Sequence, residues 1–286
     1  MNGKCANRSA GNDNLFYNCN IITFDKENPH ADAIHVRKGR IVSVGTQERL
    51  FNKKNRETNL VDLKGSTVFP GFNDTHAHMD REGLKNMRPS LSSAKNIDDV
   101  LKIIGECAKN KSGGEWIVTM PVGLPPHYFG GPQNLTEKRM PNRHELDKVA
   151  PDNPVCISAV FGNWGAPPGF TALNTLALKM NNINRKTIPR CSGVEIQKDK
   201  HGNPNGVIIE NNPRPTIDFD ILRQVPRFDF QDRLSALKTS MQIYNAVGTT
   251  SVYEGHGLAN ETIATYRELW ETDEMTLRAT LVLSPT

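Results

Sequence analysis

The chain has 286 residues, enough to bury a sizeable core in one large domain or two smaller ones. Hydrophobic residues make up 37% and charged residues 23%, a globular composition and not a disordered one. The formal charge of +4, from 35 basic and 31 acidic residues spread along the chain, gives no ground for nucleic-acid binding. The densest basic run, Lys53-Lys54-Asn55-Arg56, reads as a solvated loop. No apolar run approaches the ~18–20 residues that cross a bilayer, so no membrane association is expected. Met1 to Asn14 is polar and lacks the apolar centre of a secretory signal. The five cysteines, at 5, 19, 107, 156 and 191, are odd in number, and no two lie within four residues of each other. Neither a disulfide framework nor a thiolate zinc knuckle is expected, and a reducing, cytoplasmic setting fits best.

The first seventy residues read as short strands. Leu15 to Phe24 is rich in Ile, Phe and Tyr. Ala33 to Val36, the turn signal Arg37-Lys38-Gly39-Arg40, and Ile41 to Val44 make a hairpin pattern. Asn59 to Leu63, Lys64-Gly65 and Thr67 to Phe69 suggest a second hairpin, and thus an antiparallel, partly open sheet. From Pro70 strands alternate with helices, which argues for βα units and a parallel sheet. Ile97, Val100, Leu101, Ile104 and Ala108 have helical spacing, with Asn96 placed as N-cap. Trp116 to Met120 is a short strand, Arg143 to Val149 a short helix and Pro154 to Phe161 the next strand. The stretch 162–226 interrupts the rhythm and reads as an insertion beside the sheet. It holds one helical pattern (Leu173, Leu176, Ala177, Met180) and a strong turn signal from Asp199 to Gly206 between polar strands. Asp229 is placed to cap a helix that ends at Gly248, followed by a strand from Thr249 to Tyr253, a helix from Glu261 to Trp270 and a strand from Leu277 to Leu283.

The chemistry is carried by Thr67-Val-Phe-Pro-Gly-Phe-Asn-Asp-Thr-His-Ala-His78, an apolar strand running into a turn. Residues i and i+2 of a strand point to one side, and their Cβ atoms lie about 6.5–7 Å apart. Imidazoles at His76 and His78 can converge on one cation at that spacing, at about 2.0–2.1 Å each for zinc. Asp74 lies on the same face, placed to fix a ring tautomer or orient a ligand. The strand ahead of the pair puts it at a C-terminal strand end, where barrel enzymes keep their chemistry.

The run Asp62-Leu-Lys-Gly-Ser-Thr-Val-Phe-Pro-Gly-Phe-Asn-Asp-Thr-His-Ala-His78 closely resembles the opening motif of the amidohydrolase superfamily. Lys38 to Gly45 looks like the hairpin that precedes that motif. Leu146-Asp147, Pro151-Asp-Asn-Pro-Val155, Asn174 to Leu178, Gly202 to Glu210 and Gly248 to Val252 resemble the YtcJ-like, amidohydrolase-3 branch, in the family's order and over nearly the whole chain. The resemblance implies an α/β fold: a partial TIM-type (β/α)8 barrel, 71–286, of which about five strands are present, near 72, 117, 156, 250 and 280. A small N-terminal β-sandwich subdomain, 1–70, would precede it. It also implies one or two divalent metal ions, zinc being favoured by ligand chemistry, with manganese or iron as alternatives. The metal would polarise the bond and lower the pKa of its water. The reaction would be hydrolysis of a non-peptide carbon–nitrogen bond in a small-molecule amide, N-acyl or N-formyl substrate.

Two glutamates compete for the family's mid-barrel carboxylate. Glu210 follows Gly206-Val-Ile-Ile and is favoured by its motif; Glu254 ends the strand Thr250 to Tyr253. His127, Tyr128, Trp164 and His256 are candidates for the substrate pocket, against packed or loop roles. The resemblance also calls for two later histidines and a late aspartate, which have no counterpart before Thr286. The competing expectation is therefore a truncated, catalytically incomplete chain. With an unpaired strand edge, it would aggregate or depend on a missing C-terminal half or on oligomerisation. His144 and His201 are expected in solvent, and His30 and His35 in the small sheet.

Overall fold

The computed structural model describes residues 13–125, 128, 130–159, 167–212, 216–255 and 257–283, with Phe219 described by its backbone alone. The chain divides into two units. One comprises Met1–Ala77, Met241–Ala259 and Tyr266–Thr286; the other comprises His78–Ser240 and Asn260–Thr265.

The first unit opens with β1 (Asp13–Ile22), β2 (His30–Arg37), β3 (Arg40–Gly45), the short helix α1 (Gln47–Phe51) and β4 (Asn59–Val68). These strands form one sheet in the order β3-β2-β1-β4. The β2–β3 hairpin turns on Lys38 and Gly39, both at positive φ (50° and 72°), as a two-residue type I′ turn requires. Odd-numbered residues of β1 and β2 face inward: Leu15 and Ala33 pack with Leu50, while Tyr17 meets Phe51 edge-on at 5.2 Å.

The expected second hairpin is absent, because Lys64-Gly65 serves a bulge and not a turn. β4 runs unbroken, and its pairing with β1 slips between Tyr17 and Cys19. Lys64 (φ 51°), Gly65 (φ 79°) and Asn18 (φ 54°) take up the extra length. Asp62 Oδ1 secures the bulge by accepting from Lys64 N at 2.8 Å and Asn18 Nδ2 at 2.7 Å. β4 lies parallel to β1, so the sheet is mixed where an antiparallel one was expected. Among the described residues up to 70 there is a single sheet packed on α1, not a sandwich of two. β5 (Phe72–Ala77) follows.

The second unit begins with α2 (Met79–Glu82) and α3 (Ile97–Lys109). Asn96 caps α3 as expected, its side chain accepting from Asp99 N at 2.8 Å. Then come β6 (Ile117–Thr119), α4 (Arg143–Val149), β7 (Val155–Ile157), β8 (Gly169–Leu173), α5 (Thr175–Met180), β9 (Val194–Lys198), β10 (Pro204–Glu210), α6 (Ile217–Asp220) and α7 (Phe230–Ala246). A capping box of Asn142 and Glu145 starts α4. The five strands form one sheet, β6-β7-β8-β10-β9, so segment 162–226 contributes β8, β9 and β10 to the sheet that holds β6 and β7. Side chains alternate across it. Ile117, Val155, Ile157, Ala172 and Val207 join the core formed with α3 and α4. Val118, Cys156, Leu173 and Ile208 join the core formed with α5 and α6. The period of two, with both faces covered, explains why β6 and β7 are buried at every position.

The chain then returns to the first unit with β11 (Thr249–Glu254), while α8 (Asn260–Glu271) leads to β12 (Arg278–Thr280). β11 is flanked by β5 and β12, all parallel. The five strands expected of a barrel are thus all present, but in two sheets. β5 pairs with β11 and not with β6, so the consecutive neighbour order of a barrel is not observed.

Candidate functional site

β5 is exposed for most of its length and ends on buried Ala77. His76 is exposed and Asp74 half-buried. The His76 backbone N–H donates to Asp74 Oδ1 at 3.0 Å, so Asp74 engages the histidine through its main chain. His78 leaves the strand (φ −133°, ψ 52°) and stands at the N-cap position of α2. The boundary between the two units falls between Ala77 and His78.

β11 brings a second chemical group alongside β5. Val252 pairs with Asp74 and Glu254 with Ala77, and Gly255 N donates to Ala77 O at 3.1 Å. A Cβ on Gly255 would stand 2.5 Å from His76 Nδ1 and 2.6 Å from its Cε1. The imidazole therefore lies against bare glycine backbone, and any larger residue would displace it. Glu254, immediately before, is fully buried. The buried Tyr266 of α8 donates its phenolic hydrogen to Glu254 Oε1.

In the second unit, two residues after His78, Asp80 has only 9% of its side chain exposed. Burial pushes its carboxyl above the usual Asp range, while the Arg81 and Arg233 charges pull it back. Glu210 ends β10, also buried, with Oε1 accepting from the backbone N of Thr216 and from Thr216 Oγ1 at 2.7 Å. Burial pushes up the carboxyl of Asp218 nearby; Arg227 opposes this and the Glu210 charge adds to it. The Arg88 guanidinium lies 4.0 Å over the Phe228 ring and donates to Pro226 O at 2.8 Å. Burial drives the Cys156 thiol up to about 12, so it stays protonated and unreactive near neutral pH.

Tyr128, a candidate pocket residue, is buried at φ 52°, and burial with the Glu82 charge raises its phenol above the usual range. His127, Trp164 and His256 lie outside the described residues. His30, His144 and His201 are exposed, and His35 is buried in the first sheet. The two glutamates that competed on sequence fall in different units, Glu254 with His76 and Glu210 with His78. Among the described residues, no three of His, Cys, Asp or Glu are grouped to hold a metal ion. Sequence reasoning missed Gly255 and Tyr266. The strand–helix pattern 249–270 was visible, but nothing local marks which helical residue turns back onto a strand end.

Comparison with known proteins gives this geometry a context. The sequence profile of the amidohydrolase family matches residues 59–285. The N-substituted formamide deformylase of Arthrobacter pascens is 30% identical over 84% of this chain and 42% of its own length. The putative amidohydrolase YtcJ of Bacillus subtilis (strain 168) is 30% identical over 66% of this chain and 33% of its own length. The chain thus spans less than half of each of these relatives. A crystal structure of an uncharacterized metal-dependent hydrolase from Pyrococcus furiosus superposes with a TM-score of 0.64 at 17% identity, covering 95% of this chain and 50% of that one. At that identity the likeness speaks for the fold. With the profile matched over most of its length, the chain belongs to the amidohydrolase family.

Proposed function

We propose that the chain forms part of a metal-dependent hydrolase that cleaves a carbon–nitrogen bond outside ordinary peptides, an N-formyl or other N-acyl amide. The observation that carries this is the pairing of β5 with β11, which lays the His76 ring on Gly255, next to buried Glu254. Imidazole nitrogen and carboxylate oxygen are the donor types that a zinc-class cation takes, and the glycine keeps the ring's place open. On this reading His76 and His78 hold the cation. Glu254 and Glu210 are the two candidate carboxylates, each with its Oε1 already accepting a hydrogen bond, from Tyr266 and from Thr216. A bound divalent cation supplies Lewis-acid polarisation of the scissile carbonyl and acidifies its water. The chain's own residues set the geometry: Asp74 fixes the main chain at His76, and Gly255 leaves room for the ring. The deformylase named among the relatives makes N-substituted formamides the first substrates to try. Reducing conditions suit the four described cysteines, Cys19, Cys107, Cys156 and Cys191, all of them free. Among the described residues, no helix is long and apolar enough to cross a membrane.

A second reading is that the chain alone is catalytically incomplete. It is favoured by the 42% and 33% shares of the relatives' lengths and by the lack of three grouped donors among the described residues. Formate release from N-substituted formamides, with zinc supplied, separates the two. The hydrolase reading expects release that His76→Ala/His78→Ala abolishes. Release no faster than that of the double variant leaves the incomplete chain as the account.

A further inference from the structure

Of the large hydrophobic side chains among the described residues, Ile188 is the most exposed, at 85%. A single apolar residue in solvent is ordinary and by itself says nothing about function. The loop that carries Ile188 is held from both sides. Ahead of it, Asn184 and Thr187 close a turn: Thr187 N donates to Asn184 O at 3.0 Å, Asn184 N to Thr187 Oγ1 at 2.9 Å and Lys186 N to Asn184 Oδ1 at 2.9 Å. Lys198 Nζ, from the end of β9, donates to Arg185 O at 3.2 Å. Beyond Ile188, Asp220 Oδ2 accepts from Arg190 N at 2.8 Å and from Cys191 N at 3.0 Å. Pro189 biases Ile188 toward extended backbone. The tip thus holds its apolar side chain in solvent with little freedom left to lose on contact.

The charge beside the tip has one sign. Arg185, Lys186 and Arg190 are all exposed and lie within three residues of Ile188. Among the described residues none of them enters an ion pair. An apolar tip flanked by cations fits a surface that is anionic outside and apolar beneath, which is the profile of a bilayer containing acidic lipids. A protein partner would need a pocket shaped for the tip, whereas a fluid bilayer needs none.

We propose that the loop 184–191 is a peripheral docking element for membranes that contain anionic lipids. Ile188 enters the boundary between headgroups and acyl chains, and Arg185, Lys186 and Arg190 face the headgroups. Such contact needs no bilayer-crossing segment, the only kind that the argument from apolar runs excludes.

Flotation of the full chain with vesicles tests this, because aggregated protein sinks. The vesicles are phosphatidylcholine alone, and phosphatidylcholine with about 30% phosphatidylserine. The expected result is reversible binding to the anionic vesicles, weakened by salt, and little binding to the neutral ones. Ile188→Ser is expected to weaken binding about tenfold or more. Arg185→Gln/Lys186→Gln is expected to weaken it about 25-fold, each cation counting for about fivefold. Lys102→Gln/Lys109→Gln removes the same charge from exposed positions of α3 and should leave binding unchanged. All these side chains are exposed, so melting temperatures should match the wild type. No binding to anionic vesicles, equal binding to both kinds, or equal losses in the loop and α3 variants would overturn the proposal. Wild-type binding by Ile188→Ser would overturn it too, leaving only a diffuse attraction of charges. None of these outcomes bears on the hydrolase reading.

Discussion

Asp13 shows how one side chain can tie a sheet together. Its Oδ1 meets His35 Nε2, and its Oδ2 accepts from Arg37 Nε at 3.1 Å, Asn55 Nδ2 at 3.3 Å and Thr58 Oγ1 at 3.4 Å. Chiefly through the His35 hydrogen bond, with the Arg37 charge helping, the carboxyl is held below the ordinary Asp value of 3.8. A depressed carboxylate stabilises the fold above its unfolded pKa and loses that contribution as pH falls through the depressed value. Asp13→Asn is therefore expected to lower the melting temperature near neutral pH and to flatten the acid limb below about pH 4. Melting curves across that range check this, and an unchanged acid limb would assign the loss to other carboxylates. At the same scale, the expectation that His76 and His78 share one strand face came from local spacing alone; the strand ends at Ala77, and His78 stands at the N-cap position of α2. The Gly255–His76 and Tyr266–Glu254 contacts were not legible in the sequence, because each depends on which elements come to lie side by side.

Elements were easier to read than their partners. The cap at Asn96, the Lys38-Gly39 hairpin and the helix beginning at Asp229 all follow from local side-chain chemistry and appear where expected. β4 misled because Lys64-Gly65 offers the same positive φ to a turn and to a bulge, and only the parallel pairing with β1 decides between them. Asn174 is an element-scale joint whose strength can be measured. Fully buried, its Oδ1 accepts from Val155 N and Ala177 N, each at 3.0 Å. Its Nδ2 donates to Ala150 O at 3.1 Å and Asn153 O at 2.8 Å, so one amide joins β7, the start of α5 and the end of α4. Removing it would strand buried backbone groups, and Asn174→Ala is expected to cost about 3 kcal/mol. Denaturant titration checks this, and a loss below about 1 kcal/mol would mean that water or a neighbour replaces the amide.

For the whole molecule, most helices and strands from Pro70 onward lie near their expected positions. β8 and the short α2 and α6 were not foreseen, and neither was the sheet that the elements build. Strand order depends on long-range pairing that composition and periodicity do not encode, and the five strands read as consecutive barrel neighbours divide between two sheets. On the proposed reading the pairing of β5 with β11 matters most for function, because it lays Gly255 against the His76 ring. The most direct test is metal content: zinc per chain by elemental analysis after loading and dialysis, in the wild type and in His76→Ala/His78→Ala. The expected result is about one zinc or more per wild-type chain and none in the double variant. Equal zinc in both, or none in the wild type, would contradict the account.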